Sequence, residues 1–417
     1  MRAARWMLIA AVAAACQPSP SSPGNATPTT IATLPRALSA GELAIVAAGN
    51  SVAPILLARV NQSRAGSNVF MSPLSLSMAL GMTMNGAAGG TFDEMRTMLG
   101  YGAMSRESIN QSYQALISLL RGLDPKVDVR IANSIWYSQR FAPAVAPAFL
   151  GDARQYFDAT TAALDFGQPS AVKSINDWVK ASTKGKIPSI VDALAPEIVM
   201  LLVNAIYFKG DWSASFDKAK TVPAPFTTEG GRTVSVSMMH RTGPARVGVH
   251  DGRTVVDLGY GGDAFTMSIV LPRENESVNT LVALLSPAVW TSTMAALRVG
   301  DVELSLPRFS LEWEATLNDP LKAMGMTAAF VPGGADFTRL APTMGRELYL
   351  SFVKQKTFVD INEAGTEAAA ATAVGVGVTS VPIRTVVRVD RPFVFAIRER
   401  LSGVILFMGK IVEPPVR

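Results

Sequence analysis

Histidine and cysteine, the side chains that most often carry nucleophilic or metal-assisted catalysis, are scarce in this 417-residue chain. The two histidines are His240 and His250, and the single cysteine is Cys16. A serine-protease triad needs a histidine base, and a cysteine zinc cluster needs several thiols. The motifs G-x-S-x-G, H-E-x-x-H and G-x-x-x-x-G-K are also absent from the sequence. A hydrolase is therefore disfavoured, and we predict no enzymatic activity, no metal site and no cofactor.

The composition indicates a folded protein without a nucleic-acid surface. Hydrophobic residues make up 48% of the chain and charged residues 17%, which leaves enough apolar side chains for a large core. The formal charge of +5 is small for this length, and Lys and Arg form no run of the kind that binds nucleic acid. At about 150 residues per domain the length predicts two or three domains, although larger single folds exist.

The N-terminus carries the three regions of a secretory signal peptide. Arg2 and Arg5 precede a short apolar stretch, which ends in three alanines directly before Cys16. Small residues at this point fit an ordinary signal-peptidase site. A cysteine after three alanines also resembles a bacterial lipobox, in which the thiol is diacylated and becomes the new N-terminus. We predict that residues 1–15 are the signal peptide and that Cys16 carries a lipid anchor, with the ordinary cleavage site as the alternative.

Residues 16–36 are rich in Ser, Pro, Thr and Ala and have no apolar period. This composition predicts a flexible tether that holds the folded part away from a membrane surface. A second linker of this kind does not follow, so residues 37–417 are predicted to form one domain. We expect the protein to be exported, either as a cell-envelope lipoprotein or to the extracellular space.

Residues 362–378 form an unusual run of small side chains, NEAGTEAAAATAVGVGV. Alanine is the best helix former, so propensity alone predicts a helix over Thr366–Ala373. Composition alone predicts a low-complexity loop. The alternate residues are nevertheless all small and uncharged, and such a segment could enter a tightly packed sheet as a new strand without inserting a bulky or charged side chain. That row is Thr366, Ala368, Ala370, Thr372 and Val374.

The elements that would position this segment can be placed by periodicity. Apolar residues at helical spacing predict a helix over Glu42–Gln62, with a bend at Pro54. Asn68–Met71 is typical of a short strand. Ser72 followed by Pro73 then predicts a helix cap with proline at the first helical position.

Strands and helices alternate in the first half of the chain, and short strands dominate the second half. We predict a helix at Ala171–Thr183 between strands at Val129–Tyr137 and Met200–Phe208. Strands in the second half are expected at Val234–Met238, Thr254–Leu258, Phe265–Leu271, Val302–Leu306, Tyr349–Val353 and Phe358–Ile361. This arrangement predicts an α+β fold.

From about Leu43 to its C-terminal end the chain resembles the serpins, a family of serine protease inhibitors. The matching blocks occur in family order, and the most specific is Leu202–Gly210 with Trp212. The other blocks are Asn68–Ser75, Gly86-Ala87 with Thr91, Met238-Met239, Met267–Pro272, Leu306–Phe309, Met324–Met326, Ala335–Phe337 and Arg391–Phe393.

The resemblance implies a fold of three β-sheets surrounded by about eight or nine helices, with an exposed reactive-centre loop. In this family a target protease attacks the loop and forms an acyl-enzyme. The loop then inserts into the main sheet and carries the protease to the opposite pole, which distorts its active site. The resemblance therefore implies a monomeric suicide inhibitor whose partner is a serine protease, with a cysteine protease as a further option.

The resemblance assigns functional positions at the loop and in the sheet. Small hinge residues are typical of inhibitory members of the family, and this feature favours inhibition. The alternative is a non-inhibitory serpin-fold binding protein. The hinge positions are Glu363, Gly365, Thr366, Glu367, Ala368, Ala369, Ala370, Ala371 and Thr372. Positions of the shutter, where hydrogen bonds hold the central strands together, are Ser72, Ser75, Asn204 and Gln355. Trp212 matches the breach, where the loop enters the sheet, and Gln355 stands where the family usually has histidine.

Family spacing from Glu363 puts the cleaved bond at Thr379-Ser380. Spacing counted back from Phe393 points near Val381, so Val378 and Val381 remain alternatives. A small or β-branched residue before the cut suits a shallow primary pocket, and an elastase-like protease is the predicted target. Arg384 would suit a trypsin-like enzyme but lies several residues beyond the expected position.

Overall fold

The computed structural model describes residues 30–366 and 384–415 of the chain. These residues form helices and strands together, which confirms the predicted α+β class. The two ranges contain nine α-helices, in agreement with the eight or nine implied by the resemblance. In chain order they are α1 (Ala40–Ser63), α2 (Pro73–Gly86), α3 (Gly89–Met98), α4 (Arg106–Gly122), α5 (Pro147–Phe157), α6 (Pro169–Ser182), α7 (Val278–Leu284), α8 (Pro287–Ala295) and α9 (Asn318–Ala323).

The strands within these ranges form two hydrogen-bonded sheets. They are β1 (Val69–Met71), β2 (Val127–Ser138), β3 (Ala159–Leu164), β4 (Met200–Asp211), β5 (Val222–Thr227), β6 (Thr233–His250), β7 (Arg253–Tyr260), β8 (Phe265–Leu271), β9 (Arg298–Pro307), β10 (Phe309–Thr316), β11 (Lys354–Ile361), β12 (Gly365–Thr366), β13 (Thr385–Arg388), β14 (Phe393–Glu399) and β15 (Ile405–Ile411).

The larger sheet has the order β1-β15-β14-β8-β7-β6-β9-β13, and β5 also pairs with β6. β6 is 18 residues long, and its first part pairs with β5 while its last part pairs with β7. Because β6 pairs with β5 at one end and with β7 at the other, it joins two of the three sheets implied by the resemblance into one continuous sheet. The apolar alternation predicted only the section Val234–Met238, since beyond it the side chains of β6 are mostly half-buried.

The smaller sheet has the order β10-β11-β12-β4-β2-β3 and holds the candidate site. β2 and β4 pair antiparallel from Val127 opposite Gly210 to Tyr137 opposite Met200. β10 and β11 pair antiparallel along their whole length. The predicted strands in β2 and β4 are confirmed, and each is longer than the apolar run that predicted it.

Two helices cover the faces of the smaller sheet. α2 packs between β4 and β15 of the other sheet, and every residue of α2 except Ala79 is buried. Its predicted start is confirmed, because Ser72 caps the helix and Pro73 lies in the first turn. On the opposite face α6 packs Ile175 and Val179 against β2 and β4. The smaller sheet is therefore enclosed between a buried helix and a surface helix.

The predicted helix at Glu42–Gln62 is confirmed as α1, which contains Pro54. It begins two residues earlier than predicted because Ser39 and Glu42 form a capping box. Arg36 holds the Glu42 carboxylate through two hydrogen bonds of 2.6 and 2.8 Å.

The expected strand at Tyr349–Val353 is wrong, because β11 begins only at Lys354. The backbone of this segment bonds to the start of α9 and to a 3-10 turn at Ala328–Phe330 instead of to a sheet. The Leu350 N–H donates to the Ala329 carbonyl at 2.7 Å, and the Val353 N–H donates to the Asn318 side chain at 2.8 Å. The alternating apolar side chains that predicted a strand line a cavity.

Candidate functional site

The predicted hinge residues Gly365 and Thr366 form β12, which lies between β11 and β4. Thr366 pairs with Ile361 of β11 on one side and with Gly210 of β4 on the other, and only 3% of Thr366 is exposed. The start of the small-residue row thus occupies a strand position in the centre of the sheet. The later hinge positions Glu367–Thr372, the predicted bond Thr379-Ser380 with Val378 and Val381, and Cys16 lie outside the described residues.

Gly365 is required at its position because the backbone of β4 approaches it closely. A Cβ atom added there would overlap backbone atoms of Gly210, Asp211 and Trp212. Its φ of +156° is also one that residues with a side chain rarely adopt. The entry of the segment into the sheet therefore depends on a residue without a side chain.

Trp212 and Tyr260 form an aromatic support under β12. Their rings stack with centroids 4.4 Å apart. The Trp212 indole donates to the Asn362 carbonyl at 2.9 Å, and the Trp212 N–H donates to the Ala364 carbonyl at 2.8 Å. The Tyr260 hydroxyl lies 2.7 Å from Thr366 Oγ1, and burial raises the pKa of Tyr260, so this hydroxyl stays protonated at neutral pH.

Glu363 fixes the turn that leads from β11 into β12. Its carboxylate accepts a hydrogen bond of 2.9 Å from Thr221 and faces the Arg308 guanidinium at 3.8 Å. Its carbonyl accepts from the Phe216 N–H at 2.8 Å. Only 4% of Glu363 is exposed, so this carboxylate needs both partners.

Gln355 clamps the start of α2 from β11. Its amide oxygen accepts from the Ser72 N–H at 2.9 Å, and its amide nitrogen donates to the Ser72 carbonyl at 2.8 Å. The Ser72 hydroxyl donates to the Leu406 carbonyl at 2.6 Å and accepts from the Ser75 N–H at 3.1 Å. A neutral glutamine therefore makes both bonds at once, and it has no proton to gain or lose near neutral pH.

Asn204 extends this network across the sheet to β2. The Ser75 hydroxyl donates to the Asn204 amide oxygen, and the Asn204 amide nitrogen donates to Asn133 at 2.5 Å. Asn133 in turn donates to the Phe157 carbonyl at 2.7 Å. The four predicted shutter residues thus belong to one hydrogen-bonded chain that links β11, α2, β4 and β2.

On the path that a continuation of β12 along β4 would take, β4 and the segment that leads into β11 flank a cavity of about 400 Å³ that is partly open to solvent. Its walls are β4 residues 200–204, the preceding residues 197–199, and residues 347–355, and its floor is α2. Leu202, Leu350 and Phe352 give the walls apolar surface, and Ser75, Asn204 and Gln355 also line it. A further segment of chain would therefore meet both apolar side chains and the shutter network.

Tyr260 and Asn133 are site residues that the sequence analysis missed. A polar asparagine inside the apolar run of β2 was the sequence signal for Asn133, whereas its position opposite Asn204 is visible only in the strand pairing. The role of Tyr260 had no such signal, because it depends on a contact between residues 106 positions apart in the sequence.

The remaining candidates lie away from this site. His240 contacts Ser305 across β6 and β9 at 3.0 Å. Arg384, the alternative cleavage residue, is bound to Asp301 at 2.9 Å directly before β13. Its guanidinium is therefore engaged in an ion pair at the C-terminal end of the loop.

Replacing Gly365 by alanine should expel β12 from the sheet. The Cβ overlaps backbone atoms of three residues, so relaxation must move either β12 or β4. We expect faster amide hydrogen exchange at residues 362–366 and accelerated proteolysis near them, measured by mass spectrometry. Gly230→Ala is the matched control, because a Cβ added there meets no atom within 4 Å. Unchanged protection in Gly365→Ala would contradict the argument.

Comparison with known proteins agrees with this architecture. The family model described as Serpin (serine protease inhibitor) matches residues 47–414. Human Serpin B11 is 32% identical over 379 residues, which cover 85% of this chain and 95% of that protein.

Two solved structures also match over most of the chain. The native state of tengpin, a thermophilic serpin, matches with a TM-score of 0.81 and 29% identity, covering 91% of this chain and 95% of that one. Human thyroxine-binding globulin complexed with thyroxine matches with a TM-score of 0.81 and 30% identity, covering 90% and 100%. The chain therefore belongs to the serpin family.

Proposed function

We propose that this protein is an irreversible inhibitor of serine proteases and is itself no enzyme, acting by cleavage and insertion of its reactive loop. The observation that carries the proposal is the position of β12 between β11 and β4. Residues 367–383 continue directly from β12, and their alternate side chains are small and uncharged up to Val374. A strand that continued from β12 would run towards the cavity beside α2.

The physical basis of the proposal is a metastable starting fold. Cleavage can drive a large movement only if the inserted state has the lower free energy. Insertion would supply strand partners along β4 and fill an apolar cavity, and both changes are favourable. The shutter network would hold the uncleaved protein in its starting state, because parting β4 from β11 disturbs the bonds of Asn204 and Gln355.

The proposed target is an elastase-like protease that cleaves the Thr379-Ser380 bond, since a small residue before the bond suits a shallow pocket. Mixing the protein with pancreatic elastase should give a complex that survives denaturing gel electrophoresis. Mass spectrometry should then find a released C-terminal fragment that begins at Ser380.

The same measurement distinguishes the alternative bonds. A fragment that begins at Thr379 would indicate cleavage after Val378, and one that begins at Pro382 would indicate cleavage after Val381. A fragment that begins at Thr385 would indicate cleavage after Arg384 by a trypsin-like enzyme.

Rapid cleavage without a trapped complex, for every serine and cysteine protease tried, would contradict inhibition. The cleaved protein should also resist thermal unfolding much better than the intact protein, because the inserted loop completes the sheet. Cleavage without this gain in stability would favour the alternative, a non-inhibitory binding protein. The similarity to thyroxine-binding globulin is the observation that supports this second candidate function, a non-inhibitory binding protein.

The proposed location is the cell envelope, with Cys16 as the lipid attachment site. The predicted tether 16–36 is shorter than expected, because Ile31 and Arg36 already bind the folded domain, so residues 16–29 are proposed as the tether. Mass spectrometry of the N-terminal peptide from the native host would test this assignment. A diacylated peptide that begins at Cys16 is expected, whereas an unmodified peptide that begins at residue 16 would mean release into the extracellular space.

A further inference from the structure

Two helical stretches of the chain carry no charged residue at all, although Asp, Glu, Lys and Arg make up 17% of the sequence. Residues 43–58 form most of α1, and residues 277–297 include α7 and α8. α1 packs against both α7 and α8. The three helices therefore combine two uncharged stretches into one region of the molecule.

Part of this uncharged region is exposed. Leu43, Ile55 and Leu284 are 55%, 40% and 52% exposed, respectively. Ala47, Ser51 and Ala288 belong to the same stretches and are also exposed. We call these six residues the uncharged face. Exposed apolar side chains on helices that pack against one another are a candidate interaction site.

The uncharged face does not belong to a helix that crosses a membrane. α1 is long and apolar enough to do so, but half of its most apolar window is buried in the protein. α7 and α8 pass the same test only as a pair, and they are bent by 105°. A surface of this kind can lie on a bilayer but cannot enter it deeply.

Within three residues of either uncharged stretch, the exposed charged residues are Arg59, Glu274 and Arg298. Arg59 follows the first stretch and Arg298 follows the second, and both are exposed. The acidic residues that directly precede the stretches are bound to arginines: Glu42 to Arg36 and Glu276 to Arg253, each at 2.6 Å. The two exposed arginines outnumber the one exposed glutamate, and this excess favours a partner with anionic groups.

The N-terminal chain brings this region close to a membrane if Cys16 is lipidated. Ile31 is bound to the body of the protein, since its N–H donates to Gly262 at 2.7 Å and its carbonyl accepts from Arg400 at 2.9 Å. Residues 16–29 can span at most about 50 Å at about 3.5 Å per residue. A lipid on Cys16 would therefore keep the folded domain, and α1 with it, near the bilayer and so raise the local concentration of the two surfaces.

We propose that the uncharged face of α1, α7 and α8 rests on the surface of a bilayer that contains anionic lipids. The lipid anchor supplies attachment, and the uncharged face fixes the orientation of the domain. This inference rests on the proposed anchor at Cys16 and is independent of protease inhibition. It assigns a membrane contact to residues of the folded domain as well as to the tether.

The test uses a fluorescent reporter on the uncharged face. Cys16→Ser removes the only cysteine, so Ser51→Cys can then be labelled with an environment-sensitive dye. A hexahistidine tag at the N-terminal side of residue 16 replaces the acyl chains and holds the protein to vesicles with nickel-chelating and anionic lipids. We expect a blue shift of the dye at residue 51 but none at the exposed control position Ser235→Cys.

Charge substitutions then test the face itself. Leu43→Glu with Leu284→Glu should reduce the fraction of dye in contact with lipid by roughly tenfold, because two apolar contacts are lost and two anions face an anionic surface. Val222→Glu with Val331→Glu is the matched control, since these valines are 46% and 48% exposed elsewhere. Both double variants should inhibit protease in solution as the parent does.

Equal dye contact in the two double variants would overturn the proposal. A dimer in light scattering that dissociates only in Leu43→Glu with Leu284→Glu would also overturn it, because a second copy would then cover the uncharged face. Loss of protease inhibition in every variant, with the dye response intact, would instead contradict the proposed function alone.

Discussion

Replacing Thr366 by arginine should turn the inhibitor into a substrate. Thr366 is 3% exposed between β11 and β4, and its hydroxyl contacts Tyr260. A guanidinium buried at this position would have no anionic partner, which costs several kcal/mol, so the variant should keep β12 out of the sheet before cleavage and would have to bury the charge when the loop inserts. A rise of about 3 kcal/mol in the insertion barrier slows insertion by roughly a hundredfold. The protease would then hydrolyse the acyl-enzyme before the loop inserts.

The measurement is the number of inhibitor molecules consumed for each protease molecule trapped. We expect this number to rise by at least about tenfold, with cleavage of the loop still fast, because the displaced arginine is buried only when the loop inserts. Thr366→Ser keeps the hydroxyl and should trap protease normally. Thr233→Arg makes the same change on an exposed residue of β6 and serves as the control for added charge. Unchanged trapping by Thr366→Arg would exclude insertion as the mechanism.

Replacing Gln355 by leucine should destabilise the uncleaved protein and allow its loop to insert into the sheet before any cleavage. Leucine has a similar volume but leaves the buried Ser72 N–H without its partner and removes the bond to the Ser72 carbonyl. The expected loss in free energy of unfolding is about 2–4 kcal/mol. Because Gln355 ties β11 to α2, we also expect the sheet to part more easily and the loop to insert without cleavage.

Urea unfolding gives the change in stability, and the inhibitory activity that remains after mild heating gives the rate of early insertion. Gln155→Leu makes the same chemical change on an exposed position of α5 and should alter stability by less than about 0.5 kcal/mol. Wild-type activity after heating in Gln355→Leu would mean that the amide clamp does not control the sheet.

The position of Gln355 also has a consequence for pH. A histidine buried at this site would be held neutral, because burial lowers its pKa. In Gln355→His the unfolded chain would bind a proton more readily than the folded one, so stability, measured by urea unfolding, would be lost as pH falls below about 6.5. The glutamine of this chain avoids that loss, since an amide does not titrate in this range.

Local patterns predicted the elements better than their lengths and partners. The cap at Ser72 and the helix after it follow from short-range bonds that a sequence encodes directly. The predicted strand at Tyr349–Val353 failed because a strand needs a partner strand, and this segment bonds to Asn318 at the start of α9 and to Ala329 in a 3-10 turn. Periodicity reports which side chains alternate but not which backbone lies alongside.

The residue pattern at the hinge was visible in the sequence, whereas its placement was not. Propensity predicted a helix from Thr366 onward, but Gly365 and Thr366 form a strand because β11 and β4 offer hydrogen-bonding edges on both sides. The amide clamp of Gln355 on Ser72 likewise joins residues 283 positions apart. Residue types and their order therefore determined the family, the scarcity of catalytic groups and the small-residue row. The tertiary structure decided which of those residues meet, because the site is made of contacts between strands and helices that are distant in sequence.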